Sequence, residues 1–307
     1  MAAFLLRRLL TAIPTLLVIV TLAFGLLHAA PGGPFDGEKE MLPEIRASVE
    51  AAYHLDEPLP RQYVRYLGQL LHGQFGPSFQ YRNTSVNELI AQGLPIDATI
   101  GGLALLIALL VGMPLGVLAA LRRNTLWDRA GMAVAQLGIS VPVYVTAPLL
   151  VLVFSVLLRW LPAGDWGGGA WRNLVLPVTA LSLPYIAYVA RILRASLADV
   201  LHSPFIRTAR AKGLPWRTVI LRHALKPAVL PLVSFLGPAA IGVITGSIVI
   251  ETTFGLPGIG RFFVDGAFNR DYTLVMGVTV LYGVLIVLAN LLADICYALL
   301  DPRVRLE

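Results

Sequence analysis

Apolar runs free of charge recur along the chain at lengths suited to a hydrocarbon core, which about 20 helical residues cross. Six of them stand out, at 9–30, 98–121, 130–158, 174–190, 228–250 and 274–300, and each predicts a membrane helix. The sixth is interrupted by Asp294, and the fourth is short and holds Pro177 and Pro184, so its limits are the least defined by pattern.

Three stretches outside these runs have patterns of their own. In 31–97, "PEIRASVEAAYHL" and "PRQYVRYLGQLLHG" each open on proline. They space Ile45, Val49 and Ala52, then Tyr63, Tyr66, Leu67 and Leu70, at helical intervals, which predicts short amphipathic helices against the membrane. After the fifth run, "ETTFGLPGIGRFF" is too rich in Gly255, Pro257, Gly258 and Gly260 for regular helix. A tight turn there lets Phe254 and Phe262 tuck back, and both a gate and a plain interfacial turn fit.

Between the fourth and fifth runs, "FIRTARAKGLPWRTVILRHALKP" carries six Lys or Arg. Ser203 and Pro204 predict an N-cap and first helical residue, the helix runs two turns to Lys212, and Gly213 supplies a left-handed stop. A second helix starts at Pro215. Phe205, Ile206 and Ala209 face one way on the first piece, and Trp216, Val219, Ile220 and His223 on the second, with Arg207, Arg210, Arg217 and Arg222 elsewhere. The expected product is a rigid helix, corner and helix, tethered at both ends to spans.

Composition agrees with a membrane protein: 57% of the 307 residues are hydrophobic and 14% charged, with a mean hydropathy of +0.74. The first run exceeds the roughly 7–15 apolar residues of a signal-peptide core, so it is expected to be a retained anchor. Charge sets the orientation. Arg7, Arg8, Arg122, Arg123, Arg129, the eight Lys or Arg between Arg191 and Lys226, Arg303 and Arg305 fall on one side. The opposite short loops hold only Arg159, Arg172, Arg261 and Arg270. The positive-inside rule makes the first side, with both termini, cytoplasmic. The net charge of +6 follows from this asymmetry and gives no argument for nucleic acid. The single cysteine, Cys296, permits no internal disulfide and reads as a packed apolar residue.

Enzymatic motifs are missing. Lys39, Lys212 and Lys226 follow Glu38, Ala211 and Leu225, so there is no Gly-Lys pair of a phosphate loop. None of His28, His54, His72, His202 and His223 precedes Glu, which removes the zinc-protease helix, and His202 and His223 lack a third ligand. Asn290 and Asp294 share a face of the sixth helix and are candidates for a polar pathway lining, although Asp294 also suits a solvated interface. Three readings of the basic corner stand at this point: contact with anionic headgroups, DNA binding by a helix-turn-helix, and docking of a cytoplasmic protein. A loop held at the bilayer is poorly placed for a major groove, while lipid contact explains the charge but not the glycine corner.

"RTARAKGL" followed by "ILRHALKPAVLP" resembles the cytoplasmic loop of bacterial ATP-binding-cassette importer permeases, and within them the peptide and nickel permease family. "HLDEPLPRQYVRYLGQLLHGQFGPSF", "LSLPYIAYVARILRASLADVLHSPFIRTARAKGL", "ETTFGLPGIG", "NRDY" and "PGGPFDGE" extend the likeness over nearly the whole chain, closest to the first, B-type permease subunit of an oligopeptide importer.

That resemblance implies an all-α, six-span type I importer permease: an anchor helix at 1–30, a periplasmic segment at 31–97, a five-helix core at 98–300 with a coupling loop at 191–227, and a cytoplasmic tail at 301–307. It implies a homologous second permease, two ATPase subunits that bind ATP and Mg, and a periplasmic or lipid-anchored peptide-binding protein, in a lipid bilayer and without nucleic acid. No cofactor or catalytic residue is implied for this chain. Phe205, Arg207, Thr208, Ala209, Arg210, Lys212, Gly213 and Leu214 would couple to an ATPase. Glu251, Phe254, Gly255, Pro257, Gly258, Arg270 and Asp271 would gate the outer side or meet the binding protein. Arg207, Thr208 and Ala209 stand where other importers have Glu-Ala-Ala, so a carboxylate contact does not transfer, and Gln74 stands where many relatives have Asp. Expected substrates are oligopeptides, with dipeptides, glutathione, nickel chelates and peptide-like antibiotics as alternatives. An ion-driven transporter would also have six proline-broken spans but would not need the corner. An intramembrane hydrolase lacks its motifs here.

Overall fold

The computed structural model describes residues 2–35, 43–81, 83–244 and 248–300. The tail at 301–307, with Arg303 and Arg305, and part of "PGGPFDGE" lie outside the described residues. Those residues form α1 (Ala2–Ala29), α2 (Pro43–Ala52), α3 (Leu59–Leu71), α4 (Val86–Leu121), α5 (Leu126–Ser140) and α6 (Val143–Leu150), which opens into a wider helical turn at Val151–Leu157. There follow α7 (Trp171–Leu201), α8 (Pro204–Ala211), α9 (Trp216–Thr218), a wide turn at Val219–Ala224, α10 (Leu225–Ile244), α11 (Ile248–Phe254), α12 (Ile259–Phe268) and α13 (Tyr272–Leu300).

Among the described residues, five helical stretches are long and apolar enough to cross a membrane: Leu10–Ala29, Val86–Leu121, Trp171–Leu201, Trp216–Val243 and Tyr272–Cys296. A sixth crossing exists if α5 and the Val143–Leu157 stretch are taken together, but they meet at 98° and not as the straight span expected over 130–158. Pro142 explains the bend. It disfavours helix at the residue before it, and Val141 accordingly leaves the helix at φ −86° and ψ 116°. The fourth span also departs from expectation, because α7 runs 31 residues with Pro177 and Pro184 inside it. Proline is tolerated in membrane helices where neighbours satisfy the freed groups. The fifth is described as far as Ile244, and α11 from Ile248. Residues 245–247 lie outside the described set.

The chain divides into two compact units, one of Met1–Arg8, Ile96–Leu256 and Ile286–Glu307, the other of Leu9–Pro95 and Pro257–Leu285. In the first, α7 packs along α5 and α10. Small residues bring α4 onto α7. A Cβ on Gly112 would stand 2.7 Å from Ile186 O, and one on Gly116 2.7 Å from Ala190 O. Two glycines four apart give helices the close backbone approach that membrane packing uses in place of the hydrophobic effect.

In the second unit, helices α2 and α3 form where the pattern places them; the side chains of Ile45 and Val49 on α2 lie outside the described residues. Tyr63, Tyr66, Leu67 and Leu70 of α3 pack on Val20, Phe24 and Leu27 of α1 and on Met276 and Val280 of α13. A second cluster joins Val86, Leu89 and Ile90 to Ile259 of α12 and to Leu274 and Val278. The turn after α3 is tied down by Asn87, whose amide donates to Gly73 O at 2.7 Å and accepts from Phe75 N at 2.9 Å. Gln74 sits in that turn with its N–H on Gln69 O at 2.9 Å.

Candidate functional site

Every feature of the corner after α7 follows from local chemistry. Ser203 takes N-cap backbone angles, φ −68° and ψ 152°, and Pro204 opens α8. The Ser203 hydroxyl does not cap the helix, however; it donates back to Val200 O at 2.6 Å. At the other end Gly213 has φ +77°. Its N–H reaches Arg210 O at 2.9 Å, and the Leu214 N–H reaches Ala209 O at 3.4 Å. These are the two reversed bonds of a Schellman stop, with the left-handed residue at C′. Pro215 then caps α9.

One face of α8 is packed and the other open. Ile206 and Ala209 are buried among Leu193 and Leu197 of α7, Val219 and Ala224 of the wide turn, Ala228 of α10 and Ala120 at the end of α4, with Leu214 against the same cluster. Full burial of a side chain the size of Ile206 contributes roughly 1.5–3 kcal/mol. Three spans therefore hold α8. The opposite side exposes Arg207, Thr208, Arg210 and Lys212, and Phe205 is 49% exposed. Phe205 thus departs from the buried face expected for it. At position 216 the tryptophan is likewise exposed, and it serves as a platform for Arg210, whose guanidinium carbon lies 5.0 Å from the ring centroid. Such a pair at an open site contributes about 0.5–1 kcal/mol. Trp216→Ala is expected to lower the melting temperature of the purified protein by only a few degrees, read by thermal scanning.

A contact that the pattern did not reveal fixes the helix leading into the corner. Asp128, 1% exposed on its side chain, receives Arg194 Nε at 2.5 Å and Nη2 at 2.7 Å. Its Oδ2 also accepts from Asn124 N at 2.9 Å, and Thr125 caps α5. The loop between α4 and α5 is thereby clamped to α7, 66 residues away. The partners are unequally buried, since 29% of the Arg194 side chain is exposed. Arg194→Leu strands a buried carboxylate and is expected to cost about 3 kcal/mol, the lower end for a broken buried pair. Asp128→Asn keeps an acceptor for Asn124 and leaves a cation that reaches water, so its loss should be less than half as large. Thermal unfolding of both variants checks the asymmetry, and equal losses would contradict it.

The other sequence candidates separate into buried and open positions. Glu251, Phe254 and Asp271 are 2%, 1% and 0% exposed; Gly258 is also buried, while Gly255 and Pro257 are exposed and Arg270 half-buried. Phe254 packs beside Ile250 and Leu256, as its tucked position predicted. Its carbonyl accepts from Asp165 N at 2.7 Å, and Leu256 N reaches Glu251 O at 2.8 Å around Gly255 at φ +64°. Phe262 packs with the cluster of Leu274 and Val278. Asp271 offers no outer surface: Oδ2 accepts from the Ser78 hydroxyl, Phe79 N and Gln80 N, and Oδ1 from the Thr273 hydroxyl and Leu274 N. Asp294 Oδ2 lies 2.7 Å from Arg8 Nη2, tying α1 to α13, and Asn290 is exposed. His202 Nδ1 bonds Ala198 O at 2.6 Å, and among the described residues no three His, Cys, Asp or Glu are grouped to hold a metal.

Comparison with known proteins bears on all of this. Residues 112–306 match the family described as binding-protein-dependent transport system inner membrane component, and residues 1–100 match its N-terminal companion. The chain is 54% identical over 305 residues to the oligopeptide transport system permease protein OppB of Escherichia coli, covering 99% of this chain and 100% of that one. It is 42% identical over 307 residues to the dipeptide transport system permease protein DppB of Bacillus subtilis, covering 100% and 99%. Among solved structures, an inward-facing MetNI methionine ABC transporter aligns with 69% of this chain and 96% of its own, at a TM-score of 0.56 and 17% identity. An amino acid ABC transporter with histidines aligns with 69% and 94%, at 0.55 and 19%. At these identities the two structures establish the fold.

Proposed function

We propose, since the chain belongs to the binding-protein-dependent transport system inner membrane component family, that it is a permease subunit of an ATP-driven importer of oligopeptides. The full-length identity to an oligopeptide permease supports the substrate class, and a dipeptide permease at lower identity marks an alternative.

The observation that carries the mechanism is the corner. Its helix is locked by Ile206 and Ala209 to α4, α7 and α10 while Phe205 and four polar or basic side chains stay open. In this reading an ATPase subunit grips the open side, and motion of its groove on ATP closure passes through the packed side into three spans, shifting the bundle between inward-open and outward-open states. ATP and Mg act in two partner subunits, and this chain supplies the two-state element. A second permease completes the pathway, and a peptide-binding protein delivers substrate. Both termini face the cytoplasm on the charge asymmetry of the loops.

Of the outer candidates, Gly255 and Pro257 are exposed and Arg270 is half-buried, and these are left to meet the binding protein, while Glu251, Phe254, Gly258 and Asp271 are buried, each within its own unit. Of the polar pair on α13, Asn290 is free to line the pathway, and Asp294 serves the tie to Arg8. The test of the substrate class is uptake by the full complex in proteoliposomes given a mixed panel of peptides two to eight residues long, read by mass spectrometry. Accumulation of peptides longer than two residues is expected, and accumulation of none of the panel overturns the substrate class.

A further inference from the structure

The second compact unit contains a cavity of about 290 Å³ lined by α1, α3, the start of α13 and the 52–55 and 77–79 segments. Its walls are aromatic. Tyr53 and Phe79 meet edge to face at 4.9 Å, Phe79 reaches Tyr272 at 6.4 Å, and Phe24 stacks on His28 at 4.0 Å. Three polar atoms of lining residues are buried without a hydrogen-bond partner among the described residues: Tyr66 OH, His28 Nε2 and Arg65 Nη1. Tyr66 itself is 7% exposed.

Leaving such groups unmet costs about 1–3 kcal/mol each; each of the three has under 1 Å² of accessible surface, so an occupant of the cavity meets them by turning these side chains toward it. Their chemistry is complementary. Arg65 is held in place by Nη2 on Glu57 Oε1 at 2.6 Å, which leaves Nη1 as a cationic donor. Burial pushes the Tyr66 phenol up, so it keeps its proton and donates. His28 Nδ1 lies 2.8 Å from Phe24 O. A carbonyl only accepts, so that nitrogen carries the hydrogen, and when the ring holds no second proton Nε2 is an acceptor. Two donors suit a carboxylate, one acceptor suits an amide or amine N–H, and the aromatic walls suit an apolar side group.

We propose that this cavity binds a small carboxylate with an adjacent N–H and an apolar or aromatic side chain, the chemistry of an amino acid or of the C-terminal residue of a short peptide. Its volume sits at the lower edge of small-molecule sites, which start near about 300 Å³, and admits one or two residues. The site lies in the segment between the first two spans and stands on its own groups, independently of what the complex transports.

The experiment is photo-cross-linking of the full complex in nanodiscs with the dipeptide Ala-Phe bearing a diazirine on its ring, mapped by mass spectrometry. Label is expected on peptides containing Tyr53, Phe79 or Tyr272, displaced by Ala-Phe but not by its C-terminal amide. Arg65→Gln should reduce it about tenfold, as loss of a charge-assisted hydrogen bond does. Tyr66→Phe, which preserves the packing, should reduce it about threefold and guards against a folding defect in the first variant. Free phenylalanine competing as well as Ala-Phe assigns an amino acid, and Ala-Phe competing better assigns a peptide end. Label only elsewhere, label indifferent to both variants, equal competition by the amide, or no label above control, as for a cavity that holds water alone, overturns the proposal. Peptide uptake failing with the label intact would count against the transport reading alone, and the label failing with uptake intact against this one alone.

Discussion

Gly213→Val is expected to reduce peptide uptake by the reconstituted complex at least about tenfold while leaving the chain inserted and assembled. The reason lies in the backbone. At φ +77° a Cβ on Gly213 would meet nothing within 4 Å, so there is no clash to relieve and no packing to lose. The cost is the left-handed conformation itself, about 1–2 kcal/mol for an L-residue and more for a β-branched one. The chain escapes that strain by opening the Gly213 N–H to Arg210 O and Leu214 N–H to Ala209 O bonds. That releases Leu214 from the cluster and lets α8 turn on its packed face. A motor that grips α8 would then move a loose part. ATP turnover should persist but lose its dependence on substrate. Gly213→Asn, whose side chain tolerates left-handed backbone, should retain most uptake, and Gly213→Ala should fall between them. A valine variant with normal substrate-stimulated turnover and normal uptake would remove the corner from the mechanism.

The largest loss of stability is expected from Asp271→Ala. The carboxylate is fully buried and accepts five hydrogen bonds, two from side-chain hydroxyls and three from backbone N–H groups. It does two jobs at once. Through Leu274 N it caps α13, an interaction that contributes about 1 kcal/mol. Through Ser78, Phe79 and Gln80 it holds the 78–80 turn, and bonds to a charged acceptor contribute about 1.5–3 kcal/mol. The alanine variant leaves buried donors unmet and should lose about 4 kcal/mol in all. Asp271→Asn, which keeps one carbonyl oxygen, should recover part of it. Protease accessibility of the 31–97 segment in membranes reports the loss: rapid cleavage in the alanine variant is expected, and wild-type resistance would show that the turn is held by something else.

How much of this was readable from the sequence depended on range. The corner was legible almost residue by residue, since proline at a helix start and glycine at its stop act on their immediate neighbours, and Ile206 and Ala209 fell where the helical period put them. Phe205 was misplaced because it adjoins the buried stripe, and a two-turn helix has too few positions to fix the edge of that stripe. Span positions followed from apolar length, but length is blind to direction, and the 98° bend was hidden in a run that reads as continuous. Pro142 was the available signal. So was the Gly112 and Gly116 spacing, which marks where α4 meets α7. The Asp128 clamp left no such trace: Arg194 looked like one more cytoplasmic cation, and nothing local pairs it with a carboxylate 66 residues earlier. Asp271 stood out within "NRDY", yet its partners Ser78, Phe79 and Gln80 lie more than 190 positions away in sequence.

The central claim is that this chain converts the motion of a separate motor into passage of peptide, through a corner packed on three spans. The most direct test is the rate of oligopeptide uptake into proteoliposomes holding this chain, its partner permease and the binding protein, with the ATPase subunits and ATP present or omitted, under an imposed ion gradient in both cases. The account predicts uptake against a concentration gradient only when ATPases and ATP are both supplied, and its loss in Gly213→Val. Concentrative uptake driven by the ion gradient without the ATPases would contradict it.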